Sequence, residues 1–354
     1  MLSFYPGPSK VYPQTLGFIQ EAYEQGIVSI NHRSARFESL LKETLENLHQ
    51  KWDIPAEYTI YFISSATEAW EIVAQSLIEK KSLHVYNGAF GKKWAHYVEQ
   101  IIPQASSLEF GLNESLSDFA SQISDELKTT IDTLCLVQSE TSNGTGQVIC
   151  RKELGFSPDC LIAVDATSSM GGIELPWLEA DVWLASCQKC MGIPAGLGVL
   201  ICSPKALERA EKLNRKDYYN SIILMEQNRK LFQTHYTPNV LGIYLLNRLS
   251  QTLPSIRVIH QQTWEKMAIW EDFWKHQSSF EFDFLVDQHA LRLPTVLALK
   301  GESSEVNRIF QLAEQHQIDL GKGYGTWKNN TFRIANFPSH TLEDIHSLIQ
   351  FIQA

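Results

Sequence analysis

Two polar residues in the middle of the chain stand where they can do chemistry. In 161-LIAVDATSSMGG-172, Asp165 ends a short apolar run, and in 181-DVWLASCQKCMGIPAGLGVL-200, Lys189 follows the next such run. If both runs are parallel strands, their carboxyl ends open on one cleft, the usual ligand site of an α/β sheet. Gly192, Pro194, Gly196 and Gly198 around the lysine favour an irregular backbone that another group can approach closely. A lysine amine in such a cleft can bond covalently to a carbonyl and carry a proton, and a carboxylate can hold a cationic partner. An Asp that caps a turn and a solvated lysine are the ordinary alternative, and the pair alone leaves that open.

The elements that must position these residues follow from the hydrophobic pattern. Short apolar or β-branched runs at 59–63, 82–86, 133–138, 161–165, 181–185 and 197–202 alternate with amphipathic stretches, which predicts a mostly parallel sheet covered by helices. Between the first two runs, Trp70, Val73, Ala74, Leu77 and Ile78 recur at helical spacing and form one apolar face. Beyond about residue 245 the pattern turns helix-rich, with stripes at Val306, Ile309, Phe310 and Ala313 and at Leu342, Ile345, Ile349 and Ile352. Thr341 is the expected N-cap of the last helix, with Asp344 in its first turn. The expected organisation is a large domain over 14–245 and a smaller α+β domain made of 1–13 and 246–354. No linker composition, internal repeat or low-complexity segment marks the boundary.

Bulk properties restrict the partners. A chain of 354 residues with 44% hydrophobic positions can bury a large core without staples. The apolar runs are too short to cross a bilayer, and no basic segment followed by an apolar stretch opens the sequence, so a soluble, cytoplasmic protein is expected. A net charge of −10 argues against nucleic acid, so an anionic ligand must be caught by a local pocket. The six cysteines suit reduced, buried thiols. Cys187 and Cys190 have redox or half-zinc spacing, but a second zinc half is missing, so they are read as packing residues and no metal is expected.

The runs 163-AVDATSSMGG-172 and 186-SCQKCMGIPAGLG-198, in that order and spacing, resemble the aspartate and lysine segments of class V aminotransferases of pyridoxal-phosphate fold type I. The likeness extends over nearly the whole chain and is greatest to the branch that acts on phosphoserine. It implies an α/β fold with a mostly parallel seven-stranded sheet, pyridoxal 5'-phosphate attached at Lys189, and Asp165 paired with the cofactor's pyridine nitrogen. It further implies that 64-SSATEAW-70 binds the cofactor phosphate through the Ala66 and Thr67 amides and the Thr67 hydroxyl, at a helix N-terminus. Gln188 is a second phosphate contact by the same likeness, Phe90 in 87-NGAFGKKW-94 the stacking ring, and Thr141 in 139-SETSNG-144 the partner of the ring hydroxyl. The run 234-THYTPNVLGIYLL-246 resembles the stretch that enters a neighbouring subunit's site, so Thr237 is expected on the other chain's cofactor phosphate in a symmetric homodimer. Tyr236 stands where relatives often carry asparagine.

An amino acid with an acidic side chain needs two cationic anchors, one of them bidentate for the α-carboxylate. By resemblance Arg333 in 331-TFRIANFPSH-340 is that fork, and His32 and Arg33 in 30-INHRSARF-37 meet a substrate phosphate. Where bacterial relatives carry a further His-Arg pair, this chain has 321-GKGYGTWKNN-330, in which Lys322 and Lys328 can supply charge. The opening 4-FYPGPSKVYP-13 resembles that of the phosphoserine and the alanine–glyoxylate branches alike, so it points to the family without choosing a member. The implied reaction runs between small amino and 2-oxo acids: glutamate gives its amino group to 3-phosphohydroxypyruvate. Alanine or serine with glyoxylate or pyruvate is the alternative, and a cofactor-binding chain without catalysis would carry the same motifs. The absence of cysteine after Cys202 argues against a desulfurase of this fold.

Overall fold

The computed structural model describes residues 2–353. Its larger sheet has seven strands in the spatial order Thr59–Ile63, Gly198–Cys202, Val182–Ser186, Leu161–Asp165, Thr133–Val137, Ser82–Tyr86, Ser106–Glu109. Gly198–Cys202 is antiparallel to both neighbours, and all other pairs are parallel. The six strands expected from sequence are all present. Five strands of this sheet are buried along their whole length, the state in which a strand reads as an unbroken apolar run. The seventh, Ser106–Glu109, is a half-exposed edge of sequence SSLE, which gave no apolar signal.

Strand alternation divides the core into layers on the two faces of the sheet. Leu134, Leu136, Ile162 and Val164 pack on one face with the helix Ala35–Lys51. Cys135, Val137, Leu161 and Ala163 pack on the other, against the helix Ala66–Leu77 and its buried Trp70, Val73, Ala74 and Leu77.

A second sheet has the order Leu2–Phe4, Ile318–Lys322, Thr331–Ala335, Val296–Lys300, Asp283–Phe284. Leu2–Phe4 pairs in parallel with Ile318–Lys322, and the remaining pairs are antiparallel. Its core joins Phe4, Trp270, Trp274 and Phe332 to the helices Ser303–Gln315 and Leu342–Gln353. Residue 245 lies inside the helix Val240–Thr252, whose Leu246 and Leu249 belong to the larger core, as do Ile256 and Ile259 of the next helix, Ile256–His276. Met267 and Trp270 of that helix belong to the smaller core. We therefore propose that the two domains divide within this long helix rather than at 245, because a boundary follows where side chains change cores.

In the last helix Ile345, Leu348 and Ile352 are buried, whereas Leu342 is 51% exposed. The apolar face thus differs from the expected stripe at two positions: Leu348 joins it and Leu342 lies outside it, while Ile349 still packs at its edge. Thr341 does cap this helix: its hydroxyl accepts from the Asp344 amide at 3.2 Å, and the Asp344 carboxylate accepts from the Thr341 amide at 2.7 Å. Thr341→Ala is expected to lower stability by about 1 kcal/mol in urea denaturation. An unchanged midpoint would mean that Asp344 carries the cap alone.

Among the described residues no helix is long and apolar enough to cross a membrane, and no group of three His, Cys, Asp or Glu side chains could hold a metal. All six cysteines are free.

Candidate active site

Asp165 ends one parallel strand, and Lys189 lies three residues beyond the end of its neighbour, Val182–Ser186. Both line a cavity of about 200 Å³ closed by Tyr5, Pro6 and Gly7 from the start of the chain and by Tyr324 and Arg333 from the smaller sheet. The site therefore lies between the two sheets and takes residues from both.

Lys189 is only 8% exposed. Its Nζ donates to Thr141 Oγ1 at 2.8 Å and Ser168 Oγ at 3.0 Å and stands 5.3 Å from the centre of the Phe90 ring. Burial pulls its pKa down to about 8, with the Arg333 charge acting in the same direction and Asp165 opposing it. Gly7 makes this packing possible. Its φ of +133° is glycine territory, and a Cβ there would lie 2.8 Å from Lys189 Cε. Gly7→Ala is expected to slow covalent capture of an aldehyde by Lys189 on the order of tenfold or more, since such backbone strain costs about 1–3 kcal/mol. Stopped-flow absorbance would measure it, and an unchanged rate would mean that the segment relaxes freely.

Asp165 is buried, and its Oδ2 accepts from Trp70 Nε1 at 2.9 Å and its Oδ1 from the Thr167 amide at 2.9 Å. Burial pushes its carboxyl above the ordinary range, against hydrogen bonds from Thr167 and Trp70 and the Lys189 charge. A carboxylate has about four acceptor positions, so capacity is left for a cationic N–H from a ligand. Beside it Thr167 lines the cavity, its hydroxyl buried and without a hydrogen-bond partner among the described residues. Trp70, expected only as a core residue, thus also orients Asp165.

Arg333 lies in Thr331–Ala335 and is 4% exposed. Its Nη1 donates to Thr141 O at 2.9 Å, and its Nε and Nη2 donate to Lys322 O at 2.9 and 2.8 Å. A guanidinium has five N–H groups, so one N–H on each terminal nitrogen remains for a bidentate anion. Lys322 therefore acts through its carbonyl. The side chains of Lys322, at the end of the strand Ile318–Lys322, and of Lys328, in the turn that follows, are exposed and do not line the cavity, whereas Tyr324 from the same turn does.

Phe90 lines the cavity and stacks on Tyr324, with centroids 5.2 Å apart and planes at 23°. Ala66, Thr67 and Gln188 line it as well. The Ala66 amide is already engaged by Ser186 Oγ at 2.8 Å, which leaves the Thr67 end of this helix start facing the cavity.

His32, Arg33 and Thr237 are not brought to the Lys189 cavity of their own chain. Arg33 Nη1 donates to Asn228 Oδ1 at 2.8 Å and to Gln233 Oε1 at 2.6 Å, so it is tied beside the segment that carries the exposed Thr237. A contact of His32 and Arg33 with a substrate phosphate would therefore have to be made outside this cavity of their own chain. Tyr5, Gly7 and Tyr324 were not foreseen as pocket residues, nor Ser168 as a partner of Lys189. The aromatic, proline- and glycine-rich opening segment was the available signal for the first two.

A family model described as aminotransferase class-V matches residues 2–328. The chain belongs to this family, whose enzymes transfer amino groups. Phosphoserine aminotransferase of Rhodococcus opacus is 29% identical, with 98% of this chain and 92% of that protein aligned. The alignment with phosphoserine aminotransferase of Corynebacterium glutamicum, 31% identical, covers 68% of this chain and 63% of that protein. Among solved structures, a phosphoserine aminotransferase from Cytophaga hutchinsonii superposes with a TM-score of 0.91 at 32% identity, over 99% of this chain and 98% of that one. These likenesses match the observed fold, a large mostly parallel sheet flanked by helices with a smaller α+β unit.

Proposed function

We propose that this enzyme binds pyridoxal 5'-phosphate through Lys189 and moves the amino group of glutamate to 3-phosphohydroxypyruvate, giving 2-oxoglutarate and O-phosphoserine. The observation that carries the reading is the buried Lys189 amine lying in one cavity with Asp165 and with the free fork of Arg333. The substrate assignment rests on the names of the relatives.

The residues fit the cofactor. Asp165 has acceptor capacity for a protonated ring nitrogen, Thr167 and Thr141 offer hydroxyls, Phe90 a ring face, and the Thr67 helix start suits a phosphate. Bound there, pyridoxal phosphate draws electrons away from the substrate α-carbon. Asp165 keeps the ring nitrogen protonated for that purpose. Arg333 takes the α-carboxylate on its two free N–H groups and fixes the α-hydrogen relative to Lys189. The Lys189 amine, with its pKa near 8 and the Thr141 and Ser168 hydroxyls to direct it, removes that proton and returns it.

Arg333 and Lys189 are the only cations that line this cavity among the described residues. A substrate with a second anion must therefore find its other anchor elsewhere, and His32 and Arg33 beside Thr237 form a surface suited to a second copy's pocket. We read the functional unit as a homodimer with shared sites, acting in cytoplasmic serine biosynthesis. Complementation tests it. Arg33→Ala and Lys189→Ala chains, each inactive alone with phosphoserine, are expected to recover about a quarter of wild-type activity when refolded together, since random pairing leaves one intact site in half of the dimers. No recovery would return Arg33 to its own chain or remove it from the substrate.

The primary test is the visible spectrum of the chain with pyridoxal phosphate. A band that needs Lys189 and is bleached by glutamate and phosphoserine but not alanine supports the assignment. Bleaching by alanine instead points to an alanine–glyoxylate type of reaction, and the absence of any band overturns the cofactor reading.

A further inference from the structure

Glu140 immediately precedes Thr141 and is 1% exposed, yet among the described residues it forms no ion pair. Its Oε2 accepts from the Phe90 and Gly91 amides, each at 3.1 Å. Its Oε1 accepts from the Ser142 amide at 3.0 Å and from the Ser142 hydroxyl at 2.5 Å. That hydroxyl accepts in turn from the Ala89 amide at 3.0 Å. The first three amides of the helix Ala89–Glu99 thus all end on one carboxylate, two directly and one through Ser142.

This helix cannot cap itself, because its N-cap residue is Gly88 and has no side chain to offer. Nor does Gly88 have room for one: a Cβ there would lie 2.3 Å from Glu140 Cγ. The three amide partners of Glu140 can only donate, which favours its charged form against the burial that pushes its carboxyl above the ordinary range. A helix N-terminus is a natural anion site, and here the protein fills it from within. The residue fixed by this arrangement is Phe90, whose ring stands 5.3 Å from Lys189 Nζ and stacks on Tyr324.

We infer that Glu140 is a positioning residue for the cofactor site: an internal anion that pins the start of this helix, so that the Phe90 ring holds its place over the pocket. It also closes this N-terminus to the anions of cofactor and substrate, leaving the helix start at Thr67 as the one that receives a phosphate. The inference rests on the cofactor reading above.

A double-mutant cycle separates this role from ordinary structural capping. Glu140→Gln puts an N–H₂ against backbone donors, and Phe90→Leu removes the ring while keeping most of the volume. Affinity for pyridoxal phosphate, measured by absorbance titration, is expected to fall about tenfold in Glu140→Gln and by less than about twofold when the same change is made in Phe90→Leu, the coupling expected of residues that act as a unit. Gly88→Ala, which displaces the carboxylate without removing it, should reproduce the loss and its dependence on Phe90, and serves if Glu140→Gln does not fold. In the cofactor-free wild type, the Phe90 and Gly91 amides should be protected from hydrogen exchange. Effects that multiply independently, or affinity unchanged in both Glu140→Gln and Gly88→Ala, overturn the inference while the cofactor band survives. A wild-type chain that takes up no pyridoxal phosphate overturns the reading beneath it as well.

Discussion

Lys189→Ala is expected to abolish covalent cofactor binding and to slow amino transfer by at least 10²–10⁴-fold, roughly what a positioned proton carrier supplies by itself. The fold should survive, because among the described residues the amine's only hydrogen-bond partners are two hydroxyls that also bond each other. The wild type adds a pH signature. Burial lowers the Lys189 pKa to about 8, and the neutral amine is the nucleophile. The rate at which the cofactor-free chain captures pyridoxal phosphate should therefore climb with pH up to about 8 and level off above it. A rate still climbing at about pH 10, where an ordinary lysine titrates, would mean that the amine is open to water. Residual turnover in Lys189→Ala near the wild-type rate would remove the lysine from the chemistry altogether.

Arg333→Ala should be the second most damaging change. Removing one partner of a buried, hydrogen-bonded charge pair costs about 2–5 kcal/mol, which is about 30-fold to several thousand-fold in kcat/KM for the amino donor. The loss should fall largely on KM, with the cofactor band retained. Arg333→Lys keeps a charge but loses the planar fork, along with the bonds that tie Thr141 and Lys322 to it, and is expected to recover only a small part. An unchanged KM in both variants would place the carboxylate elsewhere.

The sequence made the central sheet legible because five of its strands are buried on both faces and read as continuous apolar runs. Asp165 and Lys189 were legible for a related reason, being polar residues at the ends of such runs. What it could not convey depends on distance along the chain. Leu2–Phe4 has too few residues for a pattern of its own and is a strand only because Ile318–Lys322 lies beside it. Trp70 looked like one more apolar residue on a helix face, since nothing local says that its indole meets a carboxylate 95 positions later. Arg33 was recognisable as a cation but not by location, because Asn228 and Gln233 decide which surface it occupies. Lys322 and Lys328 were chosen for charge, whereas it is Tyr324, in the turn between them, that lines the cavity.

The parallel pairing of Leu2–Phe4 with Ile318–Lys322 also bears on how the enzyme matures. Tyr5, Pro6 and Gly7, which follow the first strand, wall the cavity beside Lys189, yet the strand that anchors them, Ile318–Lys322, is synthesised long after them. During translation the large sheet can assemble while its ligand cavity still lacks that wall and Arg333. On the cofactor reading proposed above, a chain that stops short of Ile318–Lys322 and Thr331–Ala335 is expected to hold Lys189 in an unfinished pocket.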